Sequence, residues 1–220
     1  MKLSFSTNYW PGSFREKMEI AAQYGFKGLE LHSIAETEGE SLGALYHSLI
    51  ALKLTVPCLD LTADVGVAAQ CAAALQELDE AITVMQKLRI PFLRLRAAEG
   101  ENAFTTTKNF LYAALNKAEQ SGITLLIETV GAFADTAKLR DLLGLFSSDS
   151  LGALWDVHQP YHVCGENPED TIRNLGAFVR HVHVKDSVAE GEGVSFRMVG
   201  EGDLPITDML DALKSVGYDG

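Results

Sequence analysis

Seven short apolar runs, each followed by a stretch of helical periodicity, constrain this chain more than any other feature of its sequence. The runs begin near residues 2, 27, 54, 91, 123, 151 and 178. Such regular strand–helix alternation requires parallel strands joined by right-handed helical crossovers. Runs such as Leu125-Leu126-Ile127 are apolar on both faces, as a sheet covered on both sides demands. No GxGxxG follows the first run and no GxxxxGK[ST] occurs anywhere, so a nucleotide-binding doubly wound sheet lacks its phosphate loop. The pattern predicts an α/β fold of the (β/α)8 TIM-barrel type. It reads as a single barrel domain over residues 1–220 with seven clear βα units. An eighth strand is due where the chain reaches Gly220, so the eighth strand and helix read as truncated.

The helical segments carry their own signals. Ser13-Phe14-Arg15-Glu16 is a capping box, and the helix it opens stops at Gly25. Leu42, Leu45, Tyr46, Leu49 and Leu52 form one stripe over residues 41–52. Residues 66–88 place Cys71, Leu75, Leu78, Ile82 and Met85 at alternating four- and three-residue steps. Further helices are expected over 105–120, 135–146 and 205–216. Asn167-Pro168-Glu169-Asp170 starts another, with a cap, a first-position proline and acids in the first turn. The segment after Lys185 reads as a Gly-rich loop.

Three apolar runs end in groups that are expensive to bury alone. Leu125-Leu126-Ile127 closes with Glu128, and Leu151 to Trp155 closes with Asp156. The run from Phe178 to Val182 closes with His183. In a barrel the strand C-termini share one mouth, where active sites sit. Two carboxylates and an imidazole gathered there outline a divalent-metal site. Alternation along a strand puts Asp156 with His158, His181 with His183 and Lys185, Glu128 with Leu126, and Glu30 with His32. It does not say which face is inward. Arg94 and Arg96 end the fourth strand, where ion pairs with the acidic excess are the plain reading and an anionic ligand the sharper one. His181 reads as a satisfied inner-barrel residue, Trp155 as core, and His47 and His162 as surface.

The charge balance narrows the partners. A formal net charge of -12, from 18 Lys and Arg against 30 Asp and Glu, argues against nucleic acid or an anionic membrane. No run approaches the length of a membrane span, and the N-terminus lacks the apolar core of a signal peptide. Cys58, Cys71 and Cys164 are odd in number and widely spaced, which suggests reduced thiols in a cytoplasmic protein.

Several segments resemble the xylose isomerase-like TIM-barrel superfamily, the sugar phosphate isomerase/epimerase group. They are GLELH (28–32), LLIET (125–129), LWDVHQPY (154–161), VRHVHVKDS (179–187) and VGEGDLPITDMLDALKSVGYDG (199–220). WDVHxPY and HVHVKD carry most of the weight. The resemblance implies Glu128, Asp156 and His183 as metal ligands, with a fourth glutamate on an eighth strand beyond the GYDG turn. Two carboxylates and one imidazole suit a divalent cofactor (Mn, Mg, Co or Zn), and the resemblance implies substrate-side roles for His158, Lys185 and His32. Nuclease-type relatives carry a further histidine in a D-x-x-H pattern, where this chain has Gln159. The Gly200-Glu201-Gly202 turn resembles a family feature and reads as loop geometry rather than an anion cradle.

The expected function is therefore divalent-metal-dependent isomerisation or epimerisation of a ketose, sugar phosphate or related polyol. Proton abstraction would give a metal-stabilised enediolate. Glu128 would be ligand and base, with His158 or Lys185 holding the oxyanion. His32 and Arg197 are the expected substrate contacts. A keto-inositol-type dehydratase and a catalytically silent ligand-binding barrel are the alternatives. The partner is a small sugar or polyol. An open barrel edge makes a homodimer plausible.

Overall fold

The computed structural model describes residues 1–191 and 193–220. Seven strands are parallel to their neighbours: β1 (Ser4–Ser6), β2 (Gly28–Glu30), β3 (Cys58–Asp60), β4 (Phe92–Leu95), β5 (Thr124–Glu128), β6 (Leu151–Asp156) and β7 (Val179–His183). Strands β3 to β7 form one sheet in chain order, and β1 pairs with β2. Bridges Gly28–Thr55 and Leu31–Leu59 join the two pieces. The sheet curls: His181 and His183 on β7 reach across to Glu30 on β2. At the start of β1, the Lys2 amide donates to the Gly220 carbonyl at 2.9 Å.

Eight helices accompany the strands among the described residues: α1 (Phe14–Gln23), α2 (Leu42–Leu52), α3 (Cys71–Leu88), α4 (Ala103–Ser121), α5 (Thr136–Leu143), α6 (His158–Cys164), α7 (Pro168–Leu175) and α8 (Ile206–Ser215). Local chemistry sets their ends as the sequence predicts. The Ser13–Glu16 capping box is formed, and Asn167 accepts the Asp170 amide with Pro168 in the first turn. Leu59, Leu93, Leu125, Ile127, Ala153 and Trp155 lie in the main core with the buried faces of the helices. The opposite sheet face lines the interior. There Cys58, Leu126 and Leu154, with Phe92 against them, make a small separate apolar cluster. One alternation step further, each of these strands presents Asp60, Arg94, Glu128 or Asp156. The apolar plug closes the interior and lifts the charged groups to the strand C-termini.

Two expectations fail. Residues after β7 are not merely a Gly-rich loop: β8 (Asp186–Glu190) and β9 (Gly193–Arg197) pair antiparallel in a hairpin. Its Val, Ser and Phe residues alternate too briefly between glycines to be read as strands. His158 does not extend strand β6. It opens α6, a short helix in which Pro160 is tolerated because it lies in the first turn.

Candidate metal centre and its surroundings

The interior face carries a layer of ionisable side chains. Glu30, Asp60, Glu128 and Asp156 are all buried, at 0 to 4% exposure. Four carboxylates out of water need cations or hydrogen-bond donors. Arg94, Lys185 and two histidines supply them.

His183 is the pivot. Its Nδ1 lies 2.8 Å from Glu128 Oε1, and its Nε2 lies 2.8 Å from Glu30 Oε1. Burial alone would push this imidazole down, but the Glu30 charge and the Glu128 hydrogen bond outweigh it and raise it to about 10. Both carboxylates move the other way. Burial opposes ionisation of Glu30, yet the His183 charge and hydrogen bonds from His181 and His183 hold it well below the usual range. Glu128 is likewise lowered, because the His183 hydrogen bond and the Arg94 charge outweigh its burial. His181 Nε2 meets Glu30 Oε2 at 3.0 Å, so the role of satisfied interior residue fits it.

Arg94 spans two strands. Its Nε and Nη2 donate to Glu128 Oε2 at 2.8 and 2.5 Å, and its Nη1 donates to Asp60 Oδ2 at 2.5 Å. The ion-pair reading of Arg94 holds, and the pair lies inside the site rather than on the surface. His32 Nδ1 is 3.0 Å from the same Asp60 oxygen. Burial raises the Asp60 carboxyl against the pull of Arg94. Lys185 donates to Asp156 Oδ2. Asp156 Oδ1 accepts the His158 and Gln159 amides at 3.0 and 3.1 Å, and so caps α6.

His158 sits beside this layer. Its Nε2 is 2.9 Å from Ser187 Oγ, which is 3.0 Å from His162 Nε2. Burial and the neighbouring His162 both push the His158 imidazole down. The Phe196 ring from β9 lies 5.4 Å from His158, centroid to centroid. His162 is therefore half-buried in a hydrogen-bonded chain, not the surface residue the sequence suggests. Asp186, of the Lys-Asp pair, turns to structure. Its carboxylate accepts the amides of Ser187, Gly200, Gly202 and Leu204 at 2.8 to 3.3 Å. The Gly200–Gly202 turn is indeed loop geometry: its amides bind the chain's own carboxylate.

Glu128, Asp156, His183, Lys185, His32 and His158 thus gather at one end of the interior. Arg197 does not. It is exposed on β9, where its guanidinium donates to Ser195 Oγ and the Phe196 carbonyl. Strand alternation pairs Glu30 with His32, but neither Glu30 nor Asp60 is named from the sequence as a member of the charged layer. The signal is present for Asp60, which follows the apolar Cys58-Leu59, and weaker for Glu30, which sits between Leu29 and Leu31.

The donor set suits a divalent metal. Glu128, Asp156 and His183 each offer a ligand atom, and these atoms lie within 4.8 Å of one another. Mixed carboxylate and imidazole donors with open positions suit Mn, Mg, Co or Zn. Asp60 Oδ1, in the same layer, is buried with no hydrogen-bond partner among the described residues. A second trio, Glu30, His181 and His183, meets the same distance criterion.

With this geometry in hand, the relatives are informative. The family model described as "Xylose isomerase-like TIM barrel" matches residues 18–220. The chain belongs to that family. It is 24% identical over 213 residues to YihM, an uncharacterized protein of Escherichia coli K12, covering 92% of this chain and 63% of YihM. It is 27% identical over 153 residues to MJ1311, an uncharacterized protein of Methanocaldococcus jannaschii, covering 66% of this chain and 50% of that one. The chain thus spans about half to three fifths of the length of these relatives. Among solved structures, a D-tagatose 3-epimerase-like protein superposes with TM-score 0.83 at 18% identity, over 100% of this chain and 88% of the other. An IOLI protein with a bound zinc atom gives 0.84 at 15%, over 100% and 87%. The probable 3-DHS dehydratase AsbF of Bacillus anthracis gives 0.84 at 16%, over 98% and 89%. At these identities the structures establish the barrel fold. Among the described residues, no helix is long and apolar enough to cross a membrane.

Proposed function

We propose that this chain carries the centre of a divalent-metal-dependent isomerase or epimerase acting on a ketose, sugar phosphate or related polyol. The observation that carries the reading is the convergence of Glu128, Asp156 and His183 at the C-terminal ends of adjacent parallel strands. Those three residues would hold the metal. When bound, it would polarise the substrate carbonyl and neutralise charge developing on the enediolate oxygens.

The chain's own groups divide the remaining work. Arg94 and His183 keep Glu128 ionised, the state a base needs to take the proton next to the carbonyl. Lys185 is 41% exposed and is the cation positioned at the mouth to bind an oxyanion. His32, tied to Asp60, would contact a substrate hydroxyl. The apolar plug beneath excludes water from the interior side.

The test is exchange. Ketoses incubated with the metal-loaded protein in D2O should gain deuterium at the carbon beside the carbonyl, and Glu128→Gln should abolish the gain while the fold persists. Exchange that survives in Glu128→Gln would remove the base assignment. A keto-inositol-type dehydratase is the second reading. It is favoured by the buried His158–Ser187 pair, which could deliver a proton to a leaving hydroxyl. Formation of a conjugated enone, seen by ultraviolet absorbance, separates it from epimerisation.

A further inference from the structure

His183 has two ring nitrogens and two acidic neighbours, and the structure places one on each. Nδ1 faces Glu128, with Asp156 close by; Nε2 faces Glu30, which is pinned in turn by His181. Two metal centres can therefore be drawn around one imidazole. In the first, the ion binds Nδ1 with Glu128 and Asp156, and Glu30 accepts Nε2–H. In the second, the ion binds Nε2 with Glu30 and His181, and Glu128 accepts Nδ1–H. A neutral imidazole has one proton and one free lone pair, so the two are mutually exclusive.

The first centre offers two carboxylates to a divalent ion, the second only one. Glu30 is also engaged already. Both its oxygens lie within 3.0 Å of His183 Nε2, and His181 takes Oε2 as well. A carboxylate that receives the distal N–H of a metal-bound histidine fixes both ring orientation and tautomer. We propose that Glu30 is the positioning residue of the metal centre: it holds the Nε2 proton of His183 and so aims Nδ1 at the ion between Glu128 and Asp156. His181 braces Glu30 and is not a ligand. This inference rests on the metal reading given above.

The experiment titrates Co2+ into the full chain by calorimetry, with the visible cobalt spectrum as a second record. Wild-type, Asp156→Ala, Glu30→Gln and His181→Gln proteins are compared, each checked for folding by circular dichroism. Wild-type protein should bind and Asp156→Ala should not. Glu30→Gln should bind about 10- to 100-fold more weakly, and His181→Gln, whose amide keeps a donor for Glu30 while removing the imidazole ligand, should stay near wild type. Binding by Glu30→Gln within twofold of wild type, with Asp156→Ala silent, would overturn the positioning role and leave the metal centre standing. Loss in His181→Gln with binding kept in Asp156→Ala would move the ion to the second centre and make Glu30 a ligand. No cobalt on wild-type protein would sink the metal reading and this inference together. Should Glu30→Gln fail to fold, nitrogen NMR of the zinc-loaded wild-type imidazoles decides the question. His183 protonated on Nε2 supports the assignment, and protonation on Nδ1 overturns it.

Discussion

Arg94→Met tests the charged layer most directly. The Arg94 side chain is 15% exposed, and its guanidinium makes three bonds of 2.5 to 2.8 Å to Glu128 and Asp60, whose side chains are 0 and 2% exposed. Methionine keeps the length and apolar volume but removes the charge and every donor. Breaking a buried ion pair from one side costs roughly 3–5 kcal/mol, because the partner charge is left unpaired. Glu128 retains His183, and Asp60 retains His32, so the low end applies. A loss of about 3 kcal/mol is expected. With an m-value of about 3 kcal/mol/M, the urea midpoint should fall by about 1 M at pH 7 in the presence of chelator. Lys117→Met is the control. Lys117 pairs with Asp79 at 2.6 Å, but the two are 41 and 57% exposed, so the change should stay below about 1 kcal/mol. Equal effects in the two variants, or a loss under about 1 kcal/mol for Arg94→Met, would refute the claim that burial gives this pair its weight.

Two further outcomes follow from the same structure. The metal-free protein should be most stable in mildly acidic solution. His183, raised to about 10, contributes stability that is complete below its unfolded value and is lost as pH climbs toward 10. Lowered Glu30 and Glu128 contribute stability that is present above the ordinary carboxylate range and lost as pH falls. Thermal midpoints with chelator should therefore drop from pH 7 to pH 10, and a flat or rising trend would contradict the His183 pairing. Gly202→Ala should open the loop after β9. An added Cβ would stand 2.1 Å from Asp186 Oδ1 and 2.6 Å from the Ser187 amide nitrogen. A loss of about 2 kcal/mol is expected from the displaced Asp186 bonds. Gly100→Ala, where a Cβ meets nothing within 4 Å, should be silent in the same urea titration.

Much of this was legible in the sequence. Caps at Ser13 and Asn167 are local hydrogen bonds, so the residues themselves announce them. Apolar runs closing on Asp156 and His183 announce strand ends, and alternation within a strand fixes which residues share a face, as with Leu126 and Glu128; it fails for His158, which lies past the end of β6 in α6. What alternation cannot supply is the curl that brings β7 to β2. The contact of His183 with Glu30 spans 153 residues and depends on the curvature of the whole sheet. The pairing of Arg94 with Asp60 and Glu128 also needs the inward direction, which parity leaves open. The hairpin β8–β9 was missed because two five-residue strands joined by glycines look like a loop. Arg197 was misplaced for the same reason: its strand carries it to the exposed hairpin, away from the interior.

The cations of the layer are not equivalent, and the difference bears on how a metal could be accommodated. Arg94 is held by two carboxylates from two strands and is mostly buried. Lys185 holds one oxygen of Asp156 from the mouth, and 41% of its side chain is exposed. Moving Arg94 would strand Asp60 and Glu128 together, whereas Lys185 can withdraw into water at little desolvation cost. On the proposed reading, Lys185 would be the cation that gives up Asp156 to a divalent ion held by Glu128, Asp156 and His183, while Arg94 would stay on Glu128 and Asp60. Lys185 would then be available at the mouth to meet substrate oxygens. The four buried carboxylates are tolerable without an ion because Arg94, Lys185, His181 and His183 already pair with them.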